Sequence, residues 1–85
     1  MKYLLQITDR AVKAYEKLHE PYKSQIKKRI DALKKTGTAS QNVKPFVGEL
    51  KGLYRIRSGN YRIIFEIQDE VITIIAIVHR KEAYE

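Results

Sequence analysis

The dipeptide Gly59-Asn60 stands between two runs rich in β-branched and aromatic residues, Leu53 to Ser58 and Tyr61 to Gln68. A two-residue loop that opens on glycine favours the hairpin turns whose twist matches the strands they join. Such a loop would pair Ser58 with Tyr61, Arg57 with Arg62, Ile56 with Ile63, Arg55 with Ile64 and Tyr54 with Phe65. Successive side chains on a strand point to opposite faces, so register and face are one question. In this register every pair agrees: Tyr54, Ile56, Ile63 and Phe65 face a core, while Arg55, Arg57 and Arg62 share the other side. A three-residue loop would set Ile56 against Arg62 and break the agreement. The two-residue register is the prediction.

A third run, Val71 to Val78, follows Asp69-Glu70. Connections this short leave no room for crossover helices, so the three strands are predicted to form an antiparallel meander. If the Asp69-Glu70 turn is tight, Ile64, Ile75 and Ile77 add an apolar strip to the basic face, and such a strip on an uncovered face marks a binding surface. Strict alternation would put His79 on the basic face and Arg80 on the core face. A charge in the core is implausible, so the strand is expected to break near His79, leaving Tyr84 on a short tail.

Upstream, Lys2 to Ile7 reads as a short strand with Tyr3, Leu5 and Ile7 alternating. Thr8 can cap a first helix, in which Ala11, Val12, Tyr15 and Leu18 share a face. His19-Glu20-Pro21 ends that helix, because proline disfavours helical geometry in the residue before it. Pro21 then suits the first turn of a second helix with an apolar stripe of Tyr22, Ile26, Ile30 and Leu33 and a stop at Gly37. Thr38 to Lys51 reads as a loop. A helical hairpin packed on one face of the sheet gives an α+β architecture in one domain spanning residues 1–85.

Composition narrows the function. There is no cysteine, and the two histidines, His19 and His79, lie far apart, so neither a thiolate site nor a metal site is expected and no cofactor is implied. The run Val71 to Val78 is far shorter than the ~20 apolar residues that span a bilayer, and the N-terminus shows no signal-peptide pattern. A cytoplasmic protein without membrane contact is the expectation. The chain carries 17 Lys and Arg against 10 Asp and Glu, a formal +7, which favours a polyanionic partner. Like charges facing across a strand pair repel, so Arg57 opposite Arg62 is tolerable when an anion sits between them. Guanidinium groups match phosphate oxygens through paired hydrogen bonds. The alternative is a set of solvated arginines on an exposed face.

Three segments in order, Leu50-Lys51-Gly52-Leu53-Tyr54-Arg55-Ile56-Arg57, Gly59-Asn60-Tyr61-Arg62-Ile63-Ile64-Phe65 and His79-Arg80-Lys81-Glu82-Ala83-Tyr84, resemble the RelE/ParE superfamily of toxins from type II toxin–antitoxin systems. The resemblance covers nearly the whole chain. In the RelE branch it implies a toxin that cleaves mRNA in the 16S rRNA decoding site of the ribosome without metal, the ribose 2′-OH attacking the adjacent phosphate to leave a cyclic phosphate. That chemistry needs a proton acceptor, cations around phosphorus and a proton donor for the leaving oxygen.

By resemblance, Arg55 and Arg57 hold the two basic positions of the first meander strand. Arg62 matches the arginine that stabilises the phosphate, Arg80 the one beside the leaving group, and Tyr84 the tyrosine that stacks on a base or moves a proton. Some family members carry lysines where this chain has Arg55 and Arg57. Arginine does not lose its proton, so the base role passes to Tyr84, to water or to His79, a possible acid or base because histidine titrates near neutrality. Lys23, Lys27, Lys28, Lys34 and Lys35, with Lys51 and Lys81, are read as RNA contacts. The implied partners are the ribosome with its mRNA and an antitoxin whose acidic segment covers the basic face. Two other functions share the fold: a ParE-like inhibitor of DNA gyrase, and an inactive module that binds only its antitoxin.

Overall fold

The computed structural model describes residues 3–37, 43–45 and 52–79. Strand β1 (Leu4–Ile7) leads into helices α1 (Asp9–Glu16) and α2 (Tyr22–Thr36), followed by β2 (Val43–Pro45), β3 (Leu53–Ser58), β4 (Tyr61–Gln68) and β5 (Val71–His79). The five strands form one sheet in the order β1-β5-β4-β3-β2. The meander β3-β4-β5 is antiparallel, and the hairpin register is the one that the Gly59-Asn60 turn dictates, from Ser58 opposite Tyr61 to Leu53 opposite Glu66. Strand β1 joins the far edge of β5 in parallel, Leu4 opposite Val71.

The helices pack on the face that carries Ile56, Ile63, Phe65, Ile72 and Ile74, all without solvent exposure. Helix α2 contributes Ile26, Ile30 and Leu33, spaced so that one stripe faces inward. Burying an aliphatic side chain of this size contributes about 1.5–3 kcal/mol, so this stripe fixes the helix on the sheet. Tyr22, at the start of the same stripe, is partly exposed, as is Val12 of α1. Gly37 stops α2 with φ +57°, and the Tyr3 ring lies 2.7 Å from where a Cβ would stand. At the other end of α2, the Ser24 amide and hydroxyl donate to the Glu20 carboxylate at 2.9 and 2.6 Å. These bonds hold that exposed carboxyl below its ordinary pKa. Whatever stabilisation they give is therefore present above the ordinary value and lost as the pH falls through the lowered one.

Two expectations need correction. Residues 38–51 are not all loop: Val43–Pro45 pairs antiparallel with β3, Lys44 opposite Arg55, and forms the outer edge of the sheet. Pro45 fits there because an edge strand leaves one side of its backbone unpaired.

The second correction concerns β5. The Asp69-Glu70 turn is tight, as expected, with Gln68 opposite Val71. The register then slips: Phe65 faces Ile74 but Ile64 faces Ala76, so Ile75 is an extra residue. A bulge of this kind reverses the face of everything after it. Ile77 consequently lies in the core opposite Ile63, and His79 lies on the helix side opposite Tyr61, not on the basic face. Ala76 and Val78 take the places on the basic side that Ile75 and Ile77 were expected to share.

Thr8 pins the bulge. Its amide donates to the Ile74 carbonyl at 3.0 Å, and its hydroxyl donates to the carbonyl of the extra residue, Ile75, at 2.7 Å. The same oxygen accepts from the Ala11 amide at 3.2 Å and so caps α1. Replacing Thr8 with valine keeps the shape and removes both bonds. The expected cost is about 1–2 kcal/mol, read in a thermal melt as a fall of roughly 5–15 °C. An unchanged melting temperature would mean that the hydroxyl is not what holds the bulge.

Candidate functional site

On the sheet face away from the helices, β2, β3 and β4 place Lys44, Arg55, Arg57 and Arg62 around one cavity of about 190 Å³. Register produces the convergence. Lys44 is the cross-strand partner of Arg55, and Arg57 that of Arg62, so two cationic rungs stand side by side. Arg55 and Arg62 are half-buried and Arg57 is exposed. Arg57 Nε donates to the Gly59 carbonyl at 3.4 Å, long for such a bond, at the turn that sets the register. No acidic side chain is among the described residues lining the cavity. Four cations around a concave spot raise the potential there and favour a ligand with several anionic oxygens. Beside them Ile64 faces Ala76, and Arg62 faces Val78, so a small apolar strip adjoins the charge.

Lys44 belongs to this cluster and the sequence reading missed it, having placed it in a loop. No local signal marks it: a half-buried valine, an exposed lysine and an exposed proline become a strand only through their pairing with β3. His79 does not belong to the cluster. Its ring meets Tyr61 edge-on, centroids 5.2 Å apart, with the sheet between it and Arg62. The lysines of α2 are not gathered here either. Lys23 lies over the Tyr15 ring, Lys27 pairs with Asp31 at 3.3 Å, and Lys28 lines a separate cleft beside Ser58 and Gly59. Lys34 and Lys35 occupy the last turn of α2, where cations complement the helix dipole. Lys51, Arg80, Lys81 and Tyr84 lie outside the described residues. Among those residues no group of three metal-ligating side chains comes together, and no helix is long and apolar enough to cross a membrane.

Residues 5–84 match the family model described as the ParE toxin of type II toxin–antitoxin systems. The chain belongs to that family, and it is a toxin of the RelE/ParE superfamily. Within the superfamily it resembles RelE proteins. It is 26% identical over 91 residues to the mRNA interferase toxin RelE of Escherichia coli strain K12, covering all of this chain and 90% of that protein. The RelE–RelB complex of Pyrococcus horikoshii contains a chain 29% identical, with a TM-score of 0.80 over 94% of this chain and 97% of that one. The isolated E. coli RelE toxin is 27% identical, with a TM-score of 0.77 over 96% and 90% of the two chains.

Proposed function

We propose that this toxin is an endoribonuclease that cuts mRNA on the ribosome and so arrests translation. The observation that carries the reading is the gathering of Lys44, Arg55, Arg57 and Arg62 around one cavity, on a chain similar over its whole length to a named mRNA interferase. In the proposed reaction the ribose 2′-oxygen loses its proton and attacks the adjacent phosphorus. The bond to the 5′-oxygen of the next nucleotide breaks, that oxygen takes up a proton, and a cyclic phosphate remains. Negative charge accumulates on the phosphoryl oxygens in between, and fixed cations aimed at them lower the barrier because they need no reorganisation.

Arg62, on a central strand and half-buried, is assigned to the scissile phosphate, with Arg57 across the rung from it. Arg55 and Lys44 hold the neighbouring phosphate or sugar oxygens. Arginine cannot serve as the proton acceptor, and His79 faces the other side of the sheet, so the acceptor is Tyr84 or water. Arg80 and Tyr84 keep, by family resemblance, the roles beside the leaving group and against a base. In the relative from P. horikoshii the toxin is bound to RelB. For this chain the corresponding partner is an antitoxin with an acidic segment that neutralises the arginine face, and the setting is the cytoplasm.

The test is to express the toxin and map mRNA ends alongside DNA breaks. Codon-phased ends on translated messages, lost in the Arg57→Ala/Arg62→Ala variant, are the expected result. Protein-linked DNA breaks with intact mRNA would transfer the protein to the gyrase-inhibiting branch, and arrest with neither lesion would discard both readings.

A further inference from the structure

The basic surface does not end at the arginine cavity. One residue beyond the Arg57–Arg62 rung, the strands carry Tyr61 opposite His79, on the helix side of the sheet. Their rings stand at 88° and line a wide cleft, about 590 Å³, whose far wall is α1. That wall presents Arg10 and Lys13, with Lys17 at the helix C-cap, at a spacing that places three cations on one side, and Leu18 lines the cleft with them. No acidic side chain is among the described residues lining the cleft. Like charges three and four residues apart repel; Asp9 and Glu16 on the same helix offset part of that, and an anion over the cleft would meet all three cations. Cations along one wall and planar rings at one end form the combination that holds single-stranded nucleic acid: the cations track phosphates and the rings receive a base.

We infer that this cleft is a second RNA-binding site, taking the strand beyond the arginine cavity after it passes round the end of the sheet. Phosphates lie along Arg10, Lys13 and Lys17, and a base or ribose packs against the Tyr61–His79 pair. The inference rests on the reading that the arginine face holds RNA, and it assigns the continuation of that RNA. An acidic peptide could answer to the same cations. The rings favour RNA, because a carboxylate-rich segment has nothing flat to set against them.

The test is fluorescence anisotropy with labelled decauridylate, 2′-O-methylated so that it cannot be cut, at several salt concentrations on the full chain. Lys13 and Lys17 are exposed, so Lys13→Ala/Lys17→Ala leaves the core untouched. This variant should bind about tenfold more weakly, and its salt dependence should flatten by roughly 1.4 in log–log slope, about 0.7 for each lost phosphate contact. His79→Ala should weaken binding by at least about fivefold with the salt slope unchanged, as loss of a stacking partner does. Wild-type affinity in both variants, with binding abolished by Arg57→Ala/Arg62→Ala, would overturn the second site and leave the first. Loss in the α1 variant with no loss in the arginine variant would keep the cleft and remove the sheet-face reading. Binding of decaglutamate in place of the RNA, sensitive to Lys13→Ala/Lys17→Ala, would overturn the assignment to nucleic acid.

Discussion

Arg62→Ala is expected to lower the rate of mRNA cleavage by about 10²–10³-fold, equivalent to about 2.7–4 kcal/mol of barrier, while the fold survives. Both halves follow from where the residue stands. Arg62 faces Arg57 across the β3–β4 rung, and like charges so placed repel by roughly 0.2–1 kcal/mol. Removing Arg62 ends that repulsion and, because the side chain is not part of the hydrophobic core, opens no cavity there. The catalytic loss comes from the same geometry: a half-buried guanidinium on a strand flanked by β3 and β5 is held in place, and a fixed donor is worth most when charge develops beside it. Arg62→Lys should fall between, because it keeps the charge and loses the planar fork that meets two phosphoryl oxygens at once. Single-turnover cleavage with ribosome-bound message, together with thermal melts of the three proteins, checks the pair of statements. A large fall in melting temperature for Arg62→Ala would make the residue structural and its activity loss uninformative.

The largest effect on stability is expected at Phe65. Its side chain is fully buried and stacks on Tyr54, its cross-strand partner, with centroids 5.7 Å apart. Phe65→Ala removes that contact and leaves a cavity in a core that is small to begin with, at a cost of about 3–5 kcal/mol. A domain of this length has roughly 4–13 kcal/mol in total, so the variant is expected to lose about a quarter or more of its stability and to melt roughly 12–40 °C lower. The adjacent Ile64 supplies the control. It points to the opposite face, toward Ala76 and the arginines, so Ile64→Ala should cost less than about 1.5 kcal/mol. Urea denaturation with similar slopes for both variants would show the contrast. Equal losses at the two positions would mean that the faces of β4 are not those described.

Much of this architecture was legible because local chemistry and global register agree. Gly59-Asn60 can be a two-residue turn in only one way that keeps Ile63 and Phe65 inside, and β3 and β4 pair accordingly. Thr8 and Gly37 mark helix ends by mechanisms that act within a few residues. What stayed hidden depends on distant partners. Strand β2 is three residues long and exists through its pairing with β3, so Lys44 could not be placed beside Arg55 from its own neighbourhood.

The bulge at Ile75 was hidden for a different reason. From Ile74 to Val78 every residue is apolar, so either choice of face satisfies burial and the pattern carries no parity. The one hint was that strict alternation assigned Arg80 to the core, a conflict that a bulge upstream resolves as readily as a break in the strand. Reading it only as a break sent His79 to the wrong side. The slip bears on chemistry as well as fold, because the histidine named as a possible acid or base for its titration range stands beside Tyr61, across the sheet from the arginines.

In the proposed function the guanidinium groups of Arg55, Arg57 and Arg62 hold RNA phosphate. The most direct measurement follows the Nε–Hε resonances of the arginines by NMR while a short 2′-O-methylated RNA is titrated onto the intact protein. The signals of Arg55, Arg57 and Arg62 are expected to shift together and saturate with one binding curve. Saturation of binding with those three signals unmoved would contradict it.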